Sequence, residues 1–346
     1  METMKAAVWK GNQGFDIEQV SKPLIEENEI LLKVKAVGVC GTDLQIYKGG
    51  IKWRSIQPPR ILGHEIAGEI AATGGGVTSH KIGAPVVVRS YVECHHCEQC
   101  LTGNPHLCDN MTEIGLGAPG GFAEYLKIPS ANLYAIPAGL GFVEACMVQN
   151  VAEPLHALET AAVGPGETVV VIGCGPIGMC FVQLCALRGA SRVIAVGRRK
   201  RKLELARALG ADEVIDAATG RAEQRVMETT EGRGVDHVIV AASSLDAFPV
   251  AVRIAAKKGR VTLFGIPDVA VPQLDIHTVV VRELTLVGSQ SASPLWEYQE
   301  ALRLMSSGRV KVAPLITHRF RLDEINDAFR KGTTDRENVL KTVITV

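Results

Sequence analysis

Two short runs in the first fifth of the chain carry residue types that could hold a metal. Val39-Cys40-Gly41-Thr42-Asp43 and Gly63-His64-Glu65-Ile66-Ala67-Gly68 offer a thiol, an imidazole and two carboxylates among glycines. A thiolate and a neutral imidazole are good Zn²⁺ ligands, and a catalytic zinc keeps one position open for water or substrate. Glycine lets the backbone come close to a metal or a cofactor. Taken singly, Cys40 would read as a small buried hydrophobe and His64 as a satisfied core group. The remaining motifs argue for the metal.

A second cysteine cluster has a different character. Cys94-His95-His96-Cys97-Glu98-Gln99-Cys100 is followed by Cys108. Four thiolates at this spacing fill a tetrahedron, which describes a closed structural zinc site. His95, His96 and His106 are then surplus to coordination and read as solvated loop residues.

A third pattern concerns a phosphate-bearing cofactor. The buried-strand run Thr168-Val169-Val170-Val171-Ile172 leads straight into Gly173-Cys174-Gly175-Pro176-Ile177-Gly178 and a helical stretch to Arg188. Glycines placed between a strand and a helix permit a tight turn and bring a pyrophosphate to the helix N-terminus. Pro176 suits the first helical turn. The next strand, Arg192 to Val196, ends in Gly197-Arg198-Arg199-Lys200-Arg201. An NAD site would place an acid there for the ribose 2′-hydroxyl. Its absence removes repulsion for a 2′-phosphate, and Arg supplies bidentate phosphate contacts. The reading is NADP(H) in preference to NAD(H). Gly265 and Ile266, after the strand-like run Val261 to Phe264, complete the expected cofactor-binding set.

The elements that must position these groups fall into two kinds. Short β-branched runs at Lys5 to Trp9 and Ile30 to Val37, and a further strand from Gly63, describe a β-rich first part. Residues 143 to 163 read as a helix joining it to the next. From Thr168 strands and helices alternate, with further strands at Val238 to Ala241, Val261 to Phe264 and Leu284 to Gly288. That describes an α/β region with a doubly wound parallel sheet. The tail has helices at Leu295 to Ser306 and near Asp323 to Lys331, then a strand from Leu340. A chain of 346 residues with 47% apolar content implies two domains. Lys and Arg balance Asp and Glu at 37 each, which argues against a nucleic-acid or anionic-membrane partner. No signal peptide or membrane-spanning run is visible. Four of the nine cysteines cluster and the rest sit in apolar stretches, which reads as metal plus buried thiols in a reducing, cytoplasmic compartment.

Together, Cys40-Gly41-Thr42-Asp43, Gly63 to Gly68, the four-cysteine lobe, Gly121-Phe122-Ala123-Glu124-Tyr125 and the Gly173 to Gly178 loop resemble the zinc-dependent medium-chain dehydrogenase/reductases, the superfamily of alcohol, polyol and threonine dehydrogenases. The resemblance implies a GroES-like β-rich catalytic domain (1–148 and 290–346, with a structural zinc lobe about 90–110) and a Rossmann cofactor domain (149–289), the active site lying in their cleft. It implies Cys40 and His64 as catalytic zinc ligands and Thr42 as the hydroxyl that meets the substrate oxygen. Asp43 becomes the carboxylate orienting the zinc-bound His, and Glu65 a direct or reserve ligand. Cys94, Cys97, Cys100 and Cys108 become the structural site, giving two zincs per chain. A homodimer or homotetramer acting on a small alcohol or ketone is implied as well.

Two departures from that pattern stand out. Gln45 occupies the position of a proton-passing His and cannot titrate. The usual third zinc ligand aligns with Gln149, a poor ligand, while Glu153 lies one helical turn further on. Glu65, Glu153, Gln149 or water remain alternatives for that ligand. The function expected is hydride transfer between NADP(H) and a secondary alcohol, polyol or the matching ketone. A threonine-type amino-alcohol dehydrogenase and a non-catalytic zinc- and nucleotide-binding member are the alternatives. Tyr47, Trp53 and Trp296 are candidate pocket walls.

Overall fold

The computed structural model describes residues 2–11, 13–49, 56–267, 269, 274–292 and 296–346. They form two compact units: Met1–Gln149 with Ser293–Gly308 and Val312–Val346, and Asn150–Ala292 with Arg309–Lys311.

The first unit is built around the strand Glu29–Val39. Its side chains Ile30, Leu32, Val34, Ala36 and Val37 are all essentially buried. Ile30, Leu32, Val34 and Ala36 alternate onto one buried face, whereas Lys33 on the opposite face is exposed, the pattern of an antiparallel sheet with one face partly solvated. Glu29–Val39 pairs antiparallel with Glu65–Thr73 and with Lys341–Thr345, so sequence-distant strands flank it. The register sets Gly38 opposite Glu65 on one side and Val343 on the other. Cys40 follows immediately as the N-cap of the helix Gly41–Tyr47. One end of the sheet therefore gathers Cys40, Glu65 and the tail strand. Behind it, Phe15, Phe122 and Phe329 pack with ring centroids 4.6 to 6.2 Å apart. Tyr47 stacks on Phe15 at 6.1 Å, which makes it part of this aromatic core. Trp296 is partly exposed, and Trp53 lies outside the described residues.

The second unit carries a sheet whose described strands run in the order Glu213–Asp216, Arg192–Gly197, Thr168–Ile172, Val235–Val240, Ala255–Leu263, Thr285–Gly288. Every pairing is parallel. This is the doubly wound Rossmann arrangement, with the strand order reversing on either side of Thr168–Ile172. Parallel sheets are generally covered by helices on both faces, and Val169, Val170 and Val171 are fully buried accordingly.

The joining helix is interrupted where an unbroken one was expected. Phe142–Ala145 and Val148–Thr160 are separate helices. Between them the Met147 amide donates to the Glu144 carbonyl three residues back, and the Cys146 thiol takes the Val143 carbonyl. Both contacts tighten the turn and divert the α-helical ladder. Pro154 lies inside the second helix, at a position where it removes one backbone donor.

One buried group in the second unit has a consequence for stability. His237 is buried on the strand Val235–Val240, and its Nε2 lies 2.7 Å from Thr262 Oγ1. Burial, with a smaller contribution from Arg260, pushes its pKa down to about 3. The folded state thus resists binding a proton that the unfolded chain accepts near pH 6.5. The stability this group contributes is present above pH 6.5 and is lost as the pH falls towards 3, at up to about 1.4 kcal/mol per pH unit. Denaturant titrations between pH 7 and 4 should show that slope, and His237→Gln should flatten it. An unchanged slope in the variant would rule out His237 as its source.

Candidate functional site

Cys40, His64 and Glu65 each present a ligand atom within 4.8 Å of the others. The local fold explains the convergence. Cys40 terminates the strand Glu29–Val39, and its amide donates to Asp43 Oδ2 at 2.9 Å. That bond closes the first turn of the helix Gly41–Tyr47 and draws the Asp43 carboxylate inward, where it is fully buried. Asp43 Oδ1 then stands 3.6 Å from His64 Nδ1. A carboxylate behind a ring nitrogen fixes the imidazole's orientation and raises its basicity as a ligand. Burial pushes the Asp43 carboxyl up, while His64 and the Cys40 amide pull the other way. Burial would likewise depress His64, but the charges of Asp43 and Cys40 outweigh it and hold the imidazole well above its ordinary range. The site is therefore a buried, electron-rich pocket that favours a cation. Its donor set (one sulfur, one nitrogen, one carboxylate oxygen) fits zinc with room for a fourth partner.

Thr42 is half-buried on the same helix. Gln149 is buried in the first unit, with its Oε1 3.5 Å from the Ser90 hydroxyl. Glu153 falls in the second unit and is outside the group of converging ligand atoms.

Two further residues belong to the neighbourhood and carry no motif. Lys341, from the tail strand, is buried and forms an ion pair with Glu65 Oε2. Burial alone would lower its pKa, but the charges of Glu65 and Cys40 raise it. Glu113 is also buried, and its charge helps to raise His64. Gly38 makes the ion pair possible, since a Cβ there would collide with the Glu65 carboxylate and lie 3.1 Å from Lys341 Cε.

The second group of converging ligand atoms is Cys94, Cys97, Cys100 and Cys108. Cys108 Sγ lies 3.5 Å from Cys94 Sγ and 3.8 Å from that of Cys97. The sulfurs accept hydrogen bonds from the Cys94 amide, to Cys108 at 3.3 Å, and from Asn110 Nδ2, to Cys94 at 3.7 Å. The His96 backbone amide is the chief cause that pulls Cys94 down to about 5. Four sulfurs with no fifth donor among the described residues suit a closed zinc cage.

In the second unit the helix Pro176–Leu187 starts from an N-cap at Gly175, with Pro176 as its first residue. A Cβ on Gly178 would run into the Gly173 carbonyl, so the turn requires glycine there. A Cβ on Gly175 would meet nothing within 4 Å, so the chain is open at the helix N-cap. Gly197 closes the second strand and is buried. Arg198 follows it and reaches Ser244, Nη2 to Oγ 3.1 Å, with Asp246 3.8 Å away. Gly265 packs where a Cβ would strike the Ala242 backbone, and Ile266 is exposed. Arg199 is the N-cap of the helix Lys200–Ala208.

Comparison with known proteins gives a consistent picture. Residues 26–138 match the alcohol dehydrogenase GroES-like domain, and residues 176–307 match the zinc-binding dehydrogenase domain. An L-threonine 3-dehydrogenase of Bacillus licheniformis is 34% identical over 95% of this chain and 96% of its own. A sorbitol dehydrogenase of Bacillus subtilis is 30% identical over 99% of this chain and 97% of its own. The crystal structure of a zinc-binding dehydrogenase from Sinorhizobium meliloti bound to NADP superposes with a TM-score of 0.93, at 28% identity and full coverage of both chains.

Proposed function

The chain belongs to the zinc-dependent medium-chain dehydrogenase/reductase family, and from that membership we propose that it moves a hydride between NADP(H) and a small secondary alcohol or polyol. The observation that carries the reading is the convergence of Cys40, His64 and Glu65 within 4.8 Å, with Asp43 behind His64. Bound there, zinc would act as a Lewis acid that lowers the pKa of the substrate hydroxyl. The nicotinamide would supply the hydride acceptor.

The chain's own residues do the rest. Cys40, His64 and Glu65 hold the metal, with Glu65 as third ligand favoured by its place in the converging group. Asp43 fixes the His64 ring through Nδ1. Thr42 Oγ1 would relay the proton that leaves the substrate hydroxyl, accepting it as its own hydroxyl proton passes onward. Gln45 cannot titrate, so that proton reaches solvent through water or through Glu65. Cys94, Cys97, Cys100 and Cys108 hold a second, structural zinc. Gly173, Gly175, Pro176, Ile177 and Gly178 receive the pyrophosphate, with Gly265 and Ile266 beside the cofactor. Gly197, Arg198 and Arg199 favour the 2′-phosphate. The similar structure from Sinorhizobium meliloti, which is bound to NADP, supports that preference. A homo-oligomer in the cytoplasm accords with the family. Among the described residues no helix is long and apolar enough to cross a membrane.

The test is a panel of secondary alcohols, polyols and amino alcohols with NADP⁺ and NAD⁺, followed by nicotinamide absorbance. Turnover of L-threonine alone would favour the amino-alcohol reading, which the 34% identical relative supports. No turnover with a full complement of two zincs per chain would favour the non-catalytic one.

Arg198 provides a sharper check on the cofactor. Charge-assisted contacts to a phosphate contribute about 1.5–3 kcal/mol each. Arg198→Ala should therefore weaken NADPH binding on the order of tenfold or more while leaving NADH binding nearly unchanged. Fluorescence titration of both reduced cofactors measures this directly, and equal losses for the two would contradict the assignment.

A further inference from the structure

The residue between the first two loop glycines has a part in cofactor choice that the motif itself does not specify. Cys174 is buried, and its Sγ lies 2.7 Å from where a Cβ on Gly197 would stand. The Cys174 Cβ and Leu203 Cδ2 are each 3.2 Å from the same point. Real Cβ atoms do not tolerate a contact under 3.0 Å, and a buried cysteine with a single side-chain torsion has little room to yield. Gly197 has no left-handed backbone angle that would by itself demand glycine. Its lack of a side chain is a matter of space, and the thiol of Cys174 fills that space.

From this contact we infer that Cys174 is a selectivity residue. Its thiol reserves position 197 for glycine and thereby excludes the carboxylate that would otherwise bind a ribose 2′-hydroxyl. The inference rests on the NADP(H) reading above and deepens it. Position 197 ends the second strand of the sheet, the place from which an acid reaches the ribose in an NAD site. With Cys174 present, that acid cannot be accommodated by changing one residue. Arg198 and Arg199 are left as the cationic groups at this edge, with Arg198 3.1 Å from the Ser244 hydroxyl and 3.8 Å from Asp246. Cys174 thus acts through Gly197 as a positioning residue, without touching the cofactor.

The two positions should be coupled, and coupling is measurable independently of turnover. The proteins to compare are the natural chain, Gly197→Asp, Cys174→Ala and the double variant, each in its zinc-loaded form. The readouts are the thermal midpoint and the dissociation constants for NADH and NADPH. We expect Cys174→Ala alone to change either affinity less than threefold. Gly197→Asp alone should lower the midpoint by several degrees without gaining NADH affinity. The double variant should recover most of that midpoint and bind NADH at least tenfold more tightly than Gly197→Asp does. Gly197→Ala, with and without Cys174→Ala, repeats the steric half of the cycle if the aspartate variant fails to fold. Additive effects in both cycles, or a double variant no more stable than its Gly197 parent, would overturn the inference. A natural chain that prefers NADH would instead overturn the NADP(H) reading, and the steric coupling would still be decided by the midpoints.

Discussion

His64→Ala is expected to abolish turnover, with kcat falling on the order of 10³-fold or more, while NADPH binding is retained. The loss follows from what the imidazole holds. A Lewis-acid metal supplies several kcal/mol of transition-state stabilisation, and each 1.36 kcal/mol is tenfold in rate. Removing one ligand from a group of three leaves Cys40 and Glu65, too few for a stable site. Metal analysis adds a reading that activity alone cannot give. The variant should keep the zinc of the four-cysteine lobe and lose the other, so its content should fall from two per chain to one. The same assay decides the third ligand. Glu65→Gln should lower the metal content sharply if Glu65 is a ligand, whereas Gln149→Ala and Glu153→Ala should not. Full turnover and two zincs in His64→Ala would sink the assignment of the site.

Lys341→Met is the second large effect, and it is one of stability. Glu65 and Lys341 are both buried and paired, so removing the ammonium strands a carboxylate in the protein interior. Breaking a buried pair from one side typically costs about 3–5 kcal/mol, far more than the net stability of the intact pair. Urea unfolding of the metal-free protein should show a loss of that order in the first unit. Adding Glu65→Gln to Lys341→Met removes the stranded charge and should restore about half of it or more. A double variant as unstable as the single one would show that Lys341 serves through its packing, not its charge.

The difference between these two predictions marks how far the sequence could be read. Cys40 with Asp43, and His64 with Glu65, are chain neighbours, so the local motif already contained their juxtaposition. The Gly173 to Gly178 loop is equally local, since strand, turn and helix follow one another directly. The doubly wound sheet was legible for the same reason, from alternating strand and helix patterns. Lys341 carried no such signal. It reaches Glu65 only because the tail strand pairs with Glu29–Val39, a register that no local pattern specifies. Gly38, Glu113 and the contact of Cys174 with position 197 are of this kind as well: close in space, distant in the chain. The joining helix failed to read as two because its break depends on a turn tightened at Cys146 and Met147, not on a glycine or proline at that point.

The tail strand also has a kinetic meaning. Lys341–Thr345 closes a sheet begun by Glu29–Val39, with the continuous Asn150–Ala292 segment lying between them in the chain. Contacts between such distant segments form slowly, because their loop entropy must be overcome before any of them is rewarded. The first unit cannot complete its sheet until this last strand has docked. Until that strand docks, Glu65 has no counter-ion and the metal pocket has no closed wall on that side. Zinc supplied early in refolding would meet an unfinished site, and the thiol of Cys40 would remain open to oxidation for as long as the tail is undocked.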